Sequence, residues 1–110
     1  EGAIAALADM HRKGEGVPQD LSEAFTLYSQ LAAKGRVVAQ EAAGDLCIEL
    51  QQDLVSAHMW YNLAASASST DDHTKLARKR DELATRMTAS QIAEAQRLAR
   101  EWKPRAEKTS

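Results

Sequence analysis

A single cysteine, Cys47, removes two stabilising devices at once. The chain can close no intramolecular disulfide and build no cysteine-based zinc knuckle, so its stability has to come from packing. Only 2 prolines and 5 glycines punctuate the chain, and no glycine lies beyond Gly44, so few positions can end a helix by residue type alone. Aromatic residues number 5 and the β-branched Val, Ile and Thr together 13, a poor endowment for a sheet protein. No run approaches the ~20 apolar residues of a membrane helix, and no basic-then-apolar signal segment opens the chain. A soluble domain without membrane insertion is expected. What the sequence has in quantity is alanine, 21 of 110 residues, and alanine is the best helix former. An all-α single domain follows, long enough to bury roughly 65% of the surface its unfolded form exposes.

The net charge of −2 hides an uneven distribution. Residues 1–70 carry 4 basic and 9 acidic side chains, and residues 71–110 carry 10 basic and 7 acidic ones. A basic segment invites a nucleic-acid reading. Here the bases stand four residues from acids, as Arg78 with Glu82, Glu82 with Arg86, Arg97 with Glu101 and Glu101 with Arg105. That spacing describes a solvated helix face, and no nucleic-acid partner is expected.

Six helices can be placed. The first covers residues 3–13, with Ile4, Leu7, Ala8 and His11 inward and Gly14 as its stop. After the loop Gly14-Glu15-Gly16-Val17-Pro18-Gln19, Asp20 caps a second helix. Glu23 reaches back to it, and Lys34 and Gly35 end the helix. Its inward stripe is Leu21, Ala24, Leu27, Tyr28, Leu31 and Ala32. A third helix spans residues 37–50, and a fourth, capped by Asp53, spans 54–67. Residues 66–72 read as a polar connection and 73–86 as a fifth helix with Leu76, Ala77, Leu83, Ala84 and Met87 inward. Thr88 with Gln91 forms a capping box for a sixth, closed by Pro104 and followed by a polar tail from 105 to 110.

The first two helices repeat in the next two. At an offset of 36, Ala3, Ala6, Asp9 and Met10 meet Ala39, Ala42, Asp45 and Leu46; at an offset of 33, Asp20, Leu21, Ala24, Tyr28 and Ala32 meet Asp53, Leu54, Ala57, Tyr61 and Ala65. The three-residue difference is a deletion that shortens the second loop to Leu50-Gln51-Gln52. A helix pair cannot bury its own apolar face, whereas stacked pairs share one core, so the pattern predicts a solenoid.

Leu7-Ala8-Asp9-Met10, the loop Gly14-Glu15-Gly16-Val17-Pro18-Gln19-Asp20 and the later Ala24, Tyr28, Ala32 and Gly35 resemble the Sel1-like repeat, a relative of the tetratricopeptide repeat. Ala43-Gly44-Asp45-Leu46 and the run from Ala57 to Ala65 resemble the terminal repeat of such arrays, and residues 80–95 are similar to the closing helix pair of bacterial members. His11 and Cys47 stand where that family usually has Tyr, and the second loop lacks its glycines. The resemblance implies repeats at 1–35 and 36–68, a closing helix pair at 69–103 and the tail at 104–110, stacked as a right-handed superhelix. It also implies a concave face, lined by the first helix of each pair, that binds a partner protein or peptide. Because the chain starts at Glu1, inside an apolar-periodic run, further repeats upstream are expected, in a protein of the bacterial cytoplasm or periplasm.

Little in the chain points to chemistry of its own. His11 and Cys47 occupy equivalent positions roughly 10 Å apart, and neither His58, expected at a rim, nor His73, expected in solvent, joins them, so no metal site is expected. Gly14-x-Gly16 follows no strand and precedes no Lys-Ser, so it is no phosphate cradle, and no cofactor is implied. Trp60 and Trp102 read as packing anchors. Nothing arranges Ser, His and Asp as a catalytic set. The candidate partner-binding residues are Asp9 and Arg12 on the first helix and Glu41, Asp45 and Ile48 on the third, a mainly acidic strip expected to prefer basic or amphipathic segments. Two alternatives accompany this non-enzymatic adaptor reading. One is a hydrolase akin to the cysteine-rich, β-lactam-binding relatives that the resemblance brings in, although a lone Cys47 cannot form their disulfides. The other is self-association through the Ile4 and Leu7 face, so that a monomer or a weak dimer is expected.

Overall fold

Caps and left-handed glycines set the helix limits. The computed structural model describes residues 2–50 and 53–104, which hold six helices and no strand: α1 (Gly2–Lys13), α2 (Leu21–Ala33), α3 (Val37–Glu49), α4 (Leu54–Ala67), α5 (Thr70–Ala84) and α6 (Ala89–Glu101). Gln51, Gln52, the tail from 105 and the expected Glu101–Arg105 pair lie outside the described residues. Gly14 and Gly35 take φ of +75° and +95° just past α1 and α2, which residues with a Cβ rarely tolerate. Asp20 accepts from the Glu23 backbone N–H at 3.0 Å, as its position predicts. The return bond from Glu23 is absent, because the Asp20 N–H instead donates to the His11 carbonyl at 2.8 Å and fastens the loop to the last turn of α1. Asp53 caps α4 through the Val55 N–H, and the Thr88–Gln91 box closes in both directions.

α5 departs from expectation at both ends. It starts at Thr70, inside the stretch read as a connection, because Asp71 and Asp72 in its first turn favour the positive end of the helix dipole; Ser69 at the N-cap position makes no side-chain bond to the backbone and donates to Asp72 instead. It stops at Ala84, where the Thr85 hydroxyl donates to the Glu82 carbonyl. The expected ion pairs of Arg78 and Arg86 with Glu82 do not form. All three side chains are exposed, and such pairs gain too little to repay their lost freedom. Arg97 does pair with Glu101 at 3.0 Å, and it also bonds Glu94.

α2 packs on α1 and α3, and α4 packs on α3, α5 and α6, so each second helix is wedged between two first helices, as in a helical solenoid. The main cluster joins Ala8 of α1, Ala24, Leu27, Tyr28, Leu31 and Ala32 of α2, and Ala39, Ala42, Ala43 and Leu46 of α3. A second gathers Cys47, Ala57, Tyr61 and Leu83, with Met87 against it. α6 sits on α4, burying Ala95, and its end places Trp102 edge-on to Trp60 with ring centres 6.3 Å apart.

Two expected positions change. Leu7, assigned to the core stripe, is 40% exposed because no described helix covers that side of α1. His58, assigned to a rim, is 3% exposed with an unpartnered Nδ1. Its burial, together with the nearby Arg80 charge, holds its pKa below the usual imidazole value.

Candidate functional site

α1, α3 and α5 lie side by side, and long charged side chains cross between them. Arg12 of α1 reaches α3, 3.3 Å from Glu49 and 3.7 Å from Asp45. Lys79 of α5 reaches back to the same helix, with its Nζ 2.6 Å from Glu41 and 3.0 Å from Asp45, while Lys75 lies 3.5 Å from Glu41. The Tyr61 hydroxyl rises from α4 to donate to Asp45 at 2.5 Å, and the Lys79 ammonium sits 5.5 Å from the centre of the Tyr61 ring. Asp45 is thereby fixed from three helices. Burial opposes the charge on Lys79, yet its bonds to Glu41 and Asp45 raise its pKa overall. Burial, with the hydrogen bond to Asp45 second, pushes the Tyr61 phenol far above its ordinary range, so it stays a donor.

Gly44 makes this arrangement possible. A Cβ at that position would lie 2.7 Å from Tyr61 Cε1, so only glycine lets the ring lie flat on α3 with its hydroxyl at Asp45.

Of the five residues expected to contact a partner, Arg12, Glu41 and Asp45 belong to this one network. Asp9 stands apart, paired with Lys13 on its own helix at 3.2 Å. Ile48 lines a cleft of about 300 Å³ between α3 and α5, with Tyr61 and Leu83 on its apolar side and Lys79, Glu82 and Arg86 around it. A cleft of about 240 Å³ lies farther along the same groove, among Val37, Val38, Glu41, Asp72, Lys75 and Leu76. A third, of about 270 Å³ and mostly apolar, opens between α1 and α3 beside Ala5, Tyr28, Val38 and Ala39, where Val38 is 77% exposed. The strip anticipated as mainly acidic is therefore charge-compensated, because α5 and Arg12 bring cations to it. Lys75, Lys79 and Tyr61 were missed from sequence. The available signal was the matched i,i+4 spacing of Glu41 and Asp45 with Lys75 and Lys79.

The remaining candidates are structural in their surroundings. Cys47 is 1% exposed, and burial pushes its thiol up to about 11, which suppresses the reactive thiolate. His73, expected in solvent, has an exposed ring that nevertheless donates from Nδ1 to the Ala65 carbonyl at 2.7 Å, tying the start of α5 to the end of α4. Among the described residues no three His, Cys, Asp or Glu side chains are grouped to hold a metal ion, and no helix is long and apolar enough to cross a membrane.

Stacked helix pairs with a cross-bridged face of first helices define a helical-repeat protein. The Sel1 repeat family model matches residues 2–35 and 42–69, more than half the chain, and the protein belongs to that family. Repeats of this family are generally protein–protein interaction modules. Comparison with curated proteins and with solved structures finds no match.

Proposed function

We propose that this Sel1 repeat chain is a non-enzymatic interaction scaffold that receives a segment of a partner protein along the face formed by α1, α3 and α5. Residues 1–35 and 36–68 serve as its two repeats and 69–103 as its closing helices. The observation that carries this reading is the groove between α3 and α5. The Lys79 bridge to Glu41 and Asp45 crosses the groove and separates two clefts, each about the size of one or two side chains. A pocket that small suits an anchoring side chain better than a drug-sized ligand. Arg12, Glu41 and Asp45 act as the rigid frame, Ile48 supplies apolar contact, and Asp9 extends the contact surface onto α1. Since the acids of the frame already hold cations, the partner is selected for apolar anchors, with the exposed Glu82 and Arg86 at the rim of the Ile48 cleft.

Site-specific photo-crosslinking in living cells tests this. A photoreactive residue in place of Ile48 is expected to give discrete adducts with another protein, whereas the same residue at the exposed Gln96 on α6 gives none. Binding of the captured protein should then weaken at least tenfold in Ile48→Arg. Adducts from position 96 alone, or an affinity unchanged by Ile48→Arg, would contradict the proposal.

A further inference from the structure

Residue pairings across the groove show that α3 and α5 run in the same direction. Val37 packs on the cluster that holds Leu76, Glu41 meets Lys75 and Lys79, and Cys47 shares a cluster with Leu83. The two clefts therefore lie near opposite ends of both helices, and their charged linings are opposite. Beside the helix starts the cleft is lined by the acids Glu41 and Asp72 with the cation Lys75. Beside the helix ends it is lined by the cations Lys79 and Arg86 with the acid Glu82. Asp72 and Arg86 are both exposed, one at each end. Leu76 and Leu83 mark the clefts on α5, and Val38 and Ile48 mark their ends on α3, so at ~1.5 Å per helical residue the clefts stand roughly 10–15 Å apart.

The walls select the conformation of a segment that spans that distance. Both are helices, whose backbone groups are spent internally, and the long side chains between them, Lys79, Glu41 and Asp45, bond one another. An extended segment would lay its backbone N–H and C=O groups on a surface with little to pair them, whereas a helix arrives with its own bonds made. A helix is itself favoured by acids in its first turn and bases in its last. Such a helix matches the groove in one direction only, antiparallel to α3 and α5, with its acidic start over Arg86 and its basic end over Asp72. Building on the scaffold reading above, we infer that the groove receives a helical segment of the partner in this direction and with this charge order, anchored by two apolar side chains about seven or eight residues apart. Between the anchors the segment crosses the Lys79 bridge, where a small residue fits.

The probe is a capped, alanine-rich fluorescent peptide of about 18 residues, long enough to hold a helix, with leucines at i and i+7, glutamates in its first turn and lysines in its last. A second peptide exchanges the glutamates and lysines, and a third is the first with proline midway between the leucines. Anisotropy with the purified protein is expected to show saturable binding of the first and at least tenfold weaker binding of the other two. Because the exchanged peptide is also the poorer helix, Arg86→Glu separates the two causes. It should cut the first peptide's advantage over the second at least threefold, while Gln96→Arg leaves it unchanged, and both variants should melt close to the parent because both sites are exposed. Absence of saturable binding by the first peptide, equal binding of the exchanged or the proline peptide, or an advantage untouched by Arg86→Glu would overturn the inference. Each of these results is separate from the adducts formed in cells at position 48, whose absence counts against the scaffold reading instead.

Discussion

The two repeats place a tyrosine and an acid at matched positions and treat them differently. Tyr61 lies on Gly44, and its hydroxyl is held by Asp45, whose carboxylate also takes Lys79 and lies beside Arg12. Tyr28 has Ala8 in place of that glycine, and Asp9 pairs with Lys13 of its own helix. The second repeat has α1 and α2 before it and α5 after it, and cations from both sides converge on Asp45. Among the described residues, the first repeat is packed on from the α3 side. In this solenoid a repeat position thus takes its role from the helices that flank it, and the same residue type is a surface charge in one place and a junction in another.

The largest effect expected to expose this difference is in the core. Leu46 is fully buried while its equivalent Met10 is half open, so Leu46→Ala should cost about 2–5 kcal/mol and Met10→Ala less than about 1 kcal/mol in urea denaturation. Equal losses would break the comparison. Next come the tyrosines. Tyr61→Phe removes a hydrogen bond to a carboxylate and should cost about 1.5–3 kcal/mol, whereas Tyr28→Phe, which breaks no bond to a carboxylate, should cost about 1 kcal/mol or less.

The smallest effect concerns His58, whose place in the first repeat is taken by Phe25. With a folded pKa below the unfolded 6.5, the neutral ring contributes fully above pH 6.5, and stability is lost as the pH falls through the folded value. Arg80 and Asp81 are the charged groups that act on it from α5. His58→Phe, which grafts the first repeat's residue, should remove this acid-side loss from the melting temperature measured below pH 6.5. An unchanged pH profile would show that the ring does not titrate against burial.

What could be read from sequence was local. The caps at Asp20, Asp53 and Thr88, the turns at Gly14 and Gly35 and the 33- and 36-residue offsets depend on neighbours within a few positions or on direct repetition, and they set the architecture. The start of α5 was obscured because a serine- and acid-rich helix start resembles a turn in composition, although Ser69 with Asp72 three residues on is itself a start signal. His58 was misplaced because α4 is apolar around most of its circumference, so periodicity does not separate rim from core. The bridges of the candidate site join residues 33 to 38 positions apart, and their pairing depends on how α5 lies against α3. Asp45 could be located on a face from sequence, but its three partners could not.

The most direct test of the central claim is amide hydrogen exchange of the protein alone and saturated with the partner captured through position 48. Slower exchange confined to residues 41–48 and 75–86, with α6 unchanged, is the predicted result. Protection on α2 and α6 with the α3–α5 groove unaffected would contradict it.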